Sequence, residues 1–216
     1  MLHFFIKRAV ICNNIIPCTT NMGMNDEYLI LEIKKGNRQA FRYLVDKYNN
    51  LVWHLILRMV SQYEDAEDLS QEVFLRVYRD IHKFRGESKL STWIGSIAYN
   101  AATDYLRKRG RKQKVMVDYN DIIPDIRTDD IATPLEELSR EDTKKMIHVI
   151  IERMPVQFRT VITLYHLEQF SYAEITEVTG MPEGTVKSYI SRGRAFIKEK
   201  LVAMIPGLQK DYAGNL

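Results

Sequence analysis

Apolar residues return every three or four positions along most of this chain, and no stretch alternates for long enough to make a convincing strand. A chain patterned in this way has only helices to pack. From Asp26 the inward set is Leu29, Ile30 and Ile33, then Ala40, Phe41, Leu44, Val45 and Tyr48. Gly36-Asn37 parts the two runs as a helix stop followed by a start. A further apolar run covers 51–60. Ser61-Gln62-Tyr63-Glu64 has the spacing of a capping box, and the helix it opens carries Leu69, Val73, Val77 and Ile81 on one stripe. Residues 84–91 hold Gly86 and few apolar side chains, so they read as a loop. Ser91 or Thr92 is expected to cap the next helix, with Ile94, Ile97, Ala98, Ala101 and Tyr105 facing inward.

The helical period fails over 112–133, where Pro124 and a run of acids take its place, with Pro134 just beyond. It resumes near Leu135 and runs through Met146, Val149, Ile150 and Met154; Pro155 then precedes a helix carrying Val161, Ile162, Leu164 and Tyr165. The expected fold class is therefore all-α: two small helical domains, 24–111 and 135–205, joined by a flexible acidic linker at 112–134. Ahead of them lies an apolar leader, 1–23, interrupted by Lys7 and Arg8 and ended by Pro17. It is too short and too broken for a membrane span, and its charges come in the wrong order for an export signal. The expectation is a translation start assigned too far upstream, the true one being Met22 or Met24, and a cytoplasmic protein.

Composition narrows the chemistry. Hydrophobic residues make up 45% and charged residues 27%, as in a folded domain, and the net charge of +3 is too small to argue for nucleic acid by itself. Its distribution is more informative: Arg107-Lys108-Arg109-Gly110-Arg111-Lys112 is basic, and Glu64-Asp65-Ala66-Glu67-Asp68 is acidic. Cys12 and Cys18 form no C-x-x-C pair, and His3, His54, His82, His148 and His166 are scattered, so neither a metal site nor a disulfide framework is expected. No glycine-rich phosphate loop or Ser/His/Asp set stands out, which argues against an enzyme and against a cofactor.

The C-terminal unit carries a motif with a mechanism. Ser171-Tyr172-Ala173-Glu174 is a capping box opening a short helix with Ile175 and Val178 inward. Gly180 sits where that helix must end in a left-handed turn, and Pro182 suits the first turn of the next. The second helix turns Val186, Tyr189, Ile190, Ile197 and Leu201 toward a core and leaves Thr185, Lys187, Ser188, Ser191, Arg192 and Arg194 outside. That is the layout of a helix-turn-helix, whose second helix enters the DNA major groove. Arg192 is suited to a guanine edge or a phosphate, and Lys187 and Arg194 to phosphates. On spacing alone, a helical hairpin with a solvated basic face has the same pattern.

In the N-terminal unit, Asp65-Ala66-Glu67-Asp68-Leu69-Ser70-Gln71-Glu72-Val73-Phe74-Leu75-Arg76-Val77-Tyr78 resembles region 2.2 of sigma-70-type factors. Phe84-Arg85-Gly86-Glu87-Ser88-Lys89-Leu90-Ser91-Thr92-Trp93-Ile94 through Asp104-Tyr105-Leu106-Arg107-Lys108 is similar to regions 2.3 and 2.4, and the C-terminal pair with Glu183-Gly184-Thr185-Val186-Lys187-Ser188 to region 4. The resemblance covers Asp26 to Leu201 and lacks regions 1.1 and 3, which points to the extracytoplasmic-function (ECF) group. It implies a factor that directs core RNA polymerase to promoters, reading the minus-35 element as duplex and the minus-10 element as melted strand.

The resemblance also assigns residues and partners. Asp65, Asp68, Gln71, Glu72 and Phe74 are expected to bind core RNA polymerase, whose β′ clamp helices and β flap are the expected contacts. Lys89, Trp93, Tyr99, Asn100, Arg107 and Lys108 are expected to hold the minus-10 strand, with Arg109 adding charge; Thr185, Lys187, Ser188, Ser191, Arg192 and Arg194 are expected to hold the minus-35 duplex. Promoter DNA and an anti-sigma factor complete the expected partners. The residues alone leave two rivals open: a stand-alone regulator with the same helix-turn-helix, and a helical adaptor acting through protein contacts only.

Overall fold

The computed structural model describes residues 25–60, 62–113 and 140–204. The leader with its two cysteines, Ser61 of the expected capping box, and the linker from 114 onward lie outside the described residues. All regular structure among the described residues is helical: α1 (Asp26–Lys34), α2 (Arg38–Val60), α3 (Tyr63–Asp80) with a 3₁₀ turn at Ile81–Lys83, α4 (Leu90–Gln113), α5 (Arg140–Glu152), α6 (Val156–His166), α7 (Tyr172–Thr179) and α8 (Glu183–Met204). The chain divides into two compact units. The first carries α1–α4 and the segment Ala173–Met181; the second carries α5, α6 and α8.

Local chemistry explains the helix limits. Asn25 accepts the Glu27 amide at the start of α1, where Asp26 and Glu27 face the positive end of the helix dipole. Gly36, at φ 88°, ends α1 in a double turn: its amide donates to the Ile33 carbonyl and the Asn37 amide to that of Glu32. The Asn37 side chain then accepts the amides of Gln39 (3.0 Å) and Ala40 (3.3 Å), so one residue closes α1 and opens α2. The stop-and-start expected at Gly36-Asn37 is what the backbone does.

Two expected caps are displaced. Gln62, not Ser61, precedes α3, and its side chain makes no capping bond. Helix α4 begins at Leu90, so Ser91 and Thr92 lie inside its first turn; Thr92 is buried and its hydroxyl has no partner. The Phe84 ring packs on Trp93 at 5.3 Å, closing the loop expected there, in which Gly86 takes φ 77°.

In the first unit α2, α3 and α4 pack mutually, with α1 laid against α2. Burial follows the apolar stripes. Leu44, Val52, Leu55 and Ile56 of α2 meet Ala66, Val73, Phe74 and Val77 of α3 and Ile94, Ala98 and Ala102 of α4 in one core. Asp26 ties α1 down by accepting from the Tyr48 hydroxyl (2.8 Å) and Lys47 (2.6 Å). The second unit centres on Ile150, Met154, Phe158 and Phe196, with Tyr189, Ile197, Leu201 and Met204 packed around them. Its α6 and α8 meet at Gly193, where an added Cβ would stand 2.9 Å from Ile162.

Candidate polymerase and nucleic-acid interfaces

Helix α3 separates the residues expected to face polymerase. Asp68 and Glu72 are exposed, a single turn apart, with Glu72 held by Arg76. Gln71 and Phe74 are not on that face: they are 3% and 0% exposed, and the Gln71 amide nitrogen is buried without a partner. The acidic spacing set Gln71 beside Asp68, but at 100° per residue it falls toward the inner stripe of Ser70, Val73 and Phe74, which α2 and α4 cover. Leu75, 36% exposed and seven residues after Asp68, joins the outer face instead.

Asp65 stands apart from Asp68 and Glu72. It accepts from the Tyr105 hydroxyl at 2.6 Å and from Arg109 at 3.2 Å, both on α4. Burial, and then the hydrogen bond to Asp65, push the Tyr105 phenol above its usual range. Arg109, expected to add charge for DNA, is committed to this cluster.

Along α4, Trp93, Asn100 and Arg107 recur every seven residues, which keeps them on one stripe spanning about 21 Å. Trp93 is half-buried against Phe84, Asn100 is exposed, and Arg107 is exposed and paired with Asp104 at 2.7 Å. Tyr99 is half-buried beside the stripe, Lys108 is exposed at its end, and Lys89 is exposed in the loop before it. The arrangement lines up a ring, an amide and a cation, which suits a single strand better than a duplex groove.

The turn between α7 and α8 is built as the sequence requires. Gly180 takes φ 72° and its amide donates to Thr176 at 2.8 Å. Pro182 falls one position earlier than expected, as the residue before α8, where its carbonyl accepts the amides of Thr185 and Val186. On α8, Lys187, Ser191, Arg192 and Arg194 are exposed, and Thr185 and Ser188 are half-exposed.

Two of these cations rest on rings. Lys187 pairs with Glu183 at 2.6 Å and lies 5.6 Å over Tyr172; Arg194 lies 5.1 Å over Tyr165 and donates to His166 Nε2 at 3.0 Å. Tyr165 and Tyr172 stack at 5.2 Å, so a paired aromatic floor supports both cations. The sequence gives Tyr165 a place on α6 and Tyr172 a place in a cap; their shared role shows only in their distances from Lys187 and Arg194, which lie fifteen or more residues later in the chain. Burial and the Arg194 charge lower the His166 pKa below 6.5.

Among the described residues no group of three His, Cys, Asp or Glu side chains is arranged for a metal, and no helix is long and apolar enough to cross a membrane. Two exposed faces with DNA-suited chemistry, on a frame that is helical throughout its described regular structure, define the class as a DNA-binding protein.

Comparison with known proteins gives the family. The sigma-70 region 2 family matches residues 44–112, and the sigma-70 region 4 family matches 144–197. The chain is 35% identical over 182 residues to an ECF RNA polymerase sigma-E factor of Haemophilus influenzae, covering 82% of this chain and 96% of that protein. It is 34% identical over 191 residues to the ECF sigma factor SigW of Bacillus subtilis, covering 83% and 98%. Among solved structures, the sigma factor RpoE of Bartonella quintana, in complex with the anti-sigma factor NepR, superposes with a TM-score of 0.55 at 25% identity, over 74% of this chain and 96% of that one. The chain belongs to the ECF group of the sigma-70 family. It is a non-enzymatic transcription initiation factor that directs RNA polymerase to promoters.

Proposed function

We propose that this sigma factor, bound to core RNA polymerase, holds one promoter at two places in two different ways. Helix α8 reads the minus-35 element as duplex: Thr185, Ser188, Ser191 and Arg192 approach base edges, while Lys187 and Arg194 hold phosphates from their aromatic seats. Helix α4 holds the melted minus-10 strand. The observation that carries this reading is the stripe of Trp93, Asn100 and Arg107, flanked by Lys89, Tyr99 and Lys108. A base taken out of the duplex loses stacking worth a few kcal/mol, so a ring and an edge-reading amide are what its pocket requires.

The outer face of α3, with Asp68 and Glu72, docks on basic residues of the polymerase β′ clamp helices, and the second domain docks on the β flap. The boundaries 24–111, 112–134 and 135–205 remain our domain assignment, supported by the two family matches in that order. The linker raises the local concentration of one DNA contact once the other is made. The RpoE structure, which holds the anti-sigma factor NepR, supports an anti-sigma partner here as well. The protein would work where its polymerase works, in the cytoplasm.

Run-off transcription by the host core polymerase, with and without this protein, tests the reading. Specific initiation only in its presence is expected, and Asn100→Ala should relax base preference in the minus-10 element. Duplex binding without initiation would favour the stand-alone regulator.

A further inference from the structure

Four polar groups from the start of α3 and the end of α4 meet at one place. Arg109 Nη1 donates to Gln62 Oε1 at 2.7 Å, to the Tyr105 hydroxyl at 2.8 Å and to Asp65 Oδ2 at 3.2 Å. The Tyr105 hydroxyl, accepting from Arg109, donates its own proton to the same Asp65 oxygen at 2.6 Å. The two hydrogens of Nη1 are shared among three acceptors, and the charges of Asp65 and Arg109 offset each other. The Asp65 and Arg109 side chains are each 37% exposed, so the ion pair is screened by solvent as a surface pair is, and what sets it apart is the shared geometry with Tyr105 and Gln62.

Both residues belong to runs whose spacing suggests another job. Asp65 lies in the acidic stretch expected to meet polymerase, and Arg109 in the basic stretch expected to meet DNA. For Asp65 to turn Oδ2 to an outside cation it would have to leave a phenol and a guanidinium. For Arg109 to turn Nη1 to a phosphate it would have to leave three acceptors.

We propose that Asp65, Tyr105 and Arg109 are positioning residues: a clasp, completed by Gln62, that fixes the end of α4 against the start of α3 and touches neither polymerase nor DNA. Helix α3 carries the exposed carboxylates and α4 carries the strand-holding stripe, so the clasp sets the distance between the two working faces. The proposal rests on the sigma-factor reading for its consequences, but the coupling of the four groups stands without it.

The experiment uses the full chain with Asp65→Asn, Arg109→Ala, the double variant and Tyr105→Phe. Three quantities are read: thermal melting of the free protein, affinity for core polymerase, and the salt dependence of holoenzyme binding to a single-stranded minus-10 oligonucleotide. A clasp predicts that Asp65→Asn and Arg109→Ala each weaken core binding by about threefold to tenfold, and that the double variant is no weaker than either alone. Tyr105→Phe, which keeps the ring and the ion pair, should fall between wild type and these. The slope of log affinity against log salt should not change in any of them, because no phosphate contact is removed.

If Arg109→Ala lowers that slope by about 0.7 and leaves core affinity alone, Arg109 holds a phosphate and the proposal fails. If Asp65→Asn weakens core binding while Arg109→Ala does not, Asp65 is a direct polymerase contact and the proposal fails. Losses that track only the unfolded fraction in the melts reduce the cluster to a fold contact and overturn the positioning role. Should wild type itself not bind core polymerase, the sigma-factor reading fails, and the melts alone decide whether Asp65 and Arg109 are coupled.

Discussion

Gly193→Ala isolates the contact that holds the DNA-reading helix to its support. Glycine inside a helix is ordinarily a weakness, and alanine in its place ordinarily gains about 1 kcal/mol. Here an added Cβ would stand 2.9 Å from both Cγ1 and Cδ1 of Ile162, a side chain only 1% exposed and stiff at its branched β carbon. Forcing a methyl into such packing costs about 1–3 kcal/mol, so the strain offsets the helix gain and the net loss is about 0–2 kcal/mol. Moving α6 from α8 to relieve it would also shift Arg192 and its neighbours. Trp53 and Trp93 both lie in the first unit, so tryptophan fluorescence is blind to the change. Amide hydrogen exchange along α6 and α8 is the suitable assay, paired with affinity for a duplex minus-35 site. Shortening Ile162 to Val should rescue part of the Gly193→Ala loss, since it removes one of the two clashing atoms, although Ile162→Val by itself costs about 0.5–1.5 kcal/mol. If Gly193→Ala slows exchange and leaves duplex affinity intact, the close approach of α6 and α8 is not a constraint and the reasoning is wrong.

Three further outcomes follow from single residues. Asn37→Ala removes the cap of α2 and should lower the stability of the first unit by about 1 kcal/mol, seen as a lower tryptophan-monitored urea midpoint with unchanged slope. Arg192→Ala should cost about 1–3 kcal/mol of discrimination between minus-35 sequences if it reads a base; equal losses on every duplex would make it a phosphate contact. The His166 pKa is depressed by burial and by Arg194, so the unfolded chain takes the proton first; His166 should add stability above about pH 6.5 and lose it as pH falls toward the depressed folded value. A ring titration by NMR with a midpoint above 6.5 would contradict this, as would a second unit that melts higher in mild acid.

Much was legible in advance because it is written in single residues or short spacings. The apolar period alone called for helices; Gly36-Asn37 and Gly180 marked turns whose backbone geometry few other residues adopt; the motifs from Asp65 to Tyr78, Phe84 to Lys108 and Glu183 to Ser188 carried the family. The exposure of Lys187, Ser191, Arg192 and Arg194 on α8 also follows from the sequence, since period and polarity agree there.

What the tertiary structure decided lies at the flanks of helices and between them. Gln71 and Phe74 share a motif with Asp68 and Glu72; the helical angle sets them at the edge of the inner stripe, and the cover supplied by α2 and α4 buries them. Arg109 sits in a basic run and Asp65 in an acidic one, more than forty residues apart, and their pairing depends on how α3 and α4 meet. The paired rings under Lys187 and Arg194 depend on the same kind of meeting. A period of 3.6 residues determines an angle around one helix axis, and so which side chains share a face. It does not determine which neighbour covers the edge of that face, because that is set by helix crossing and by distances across a packed core.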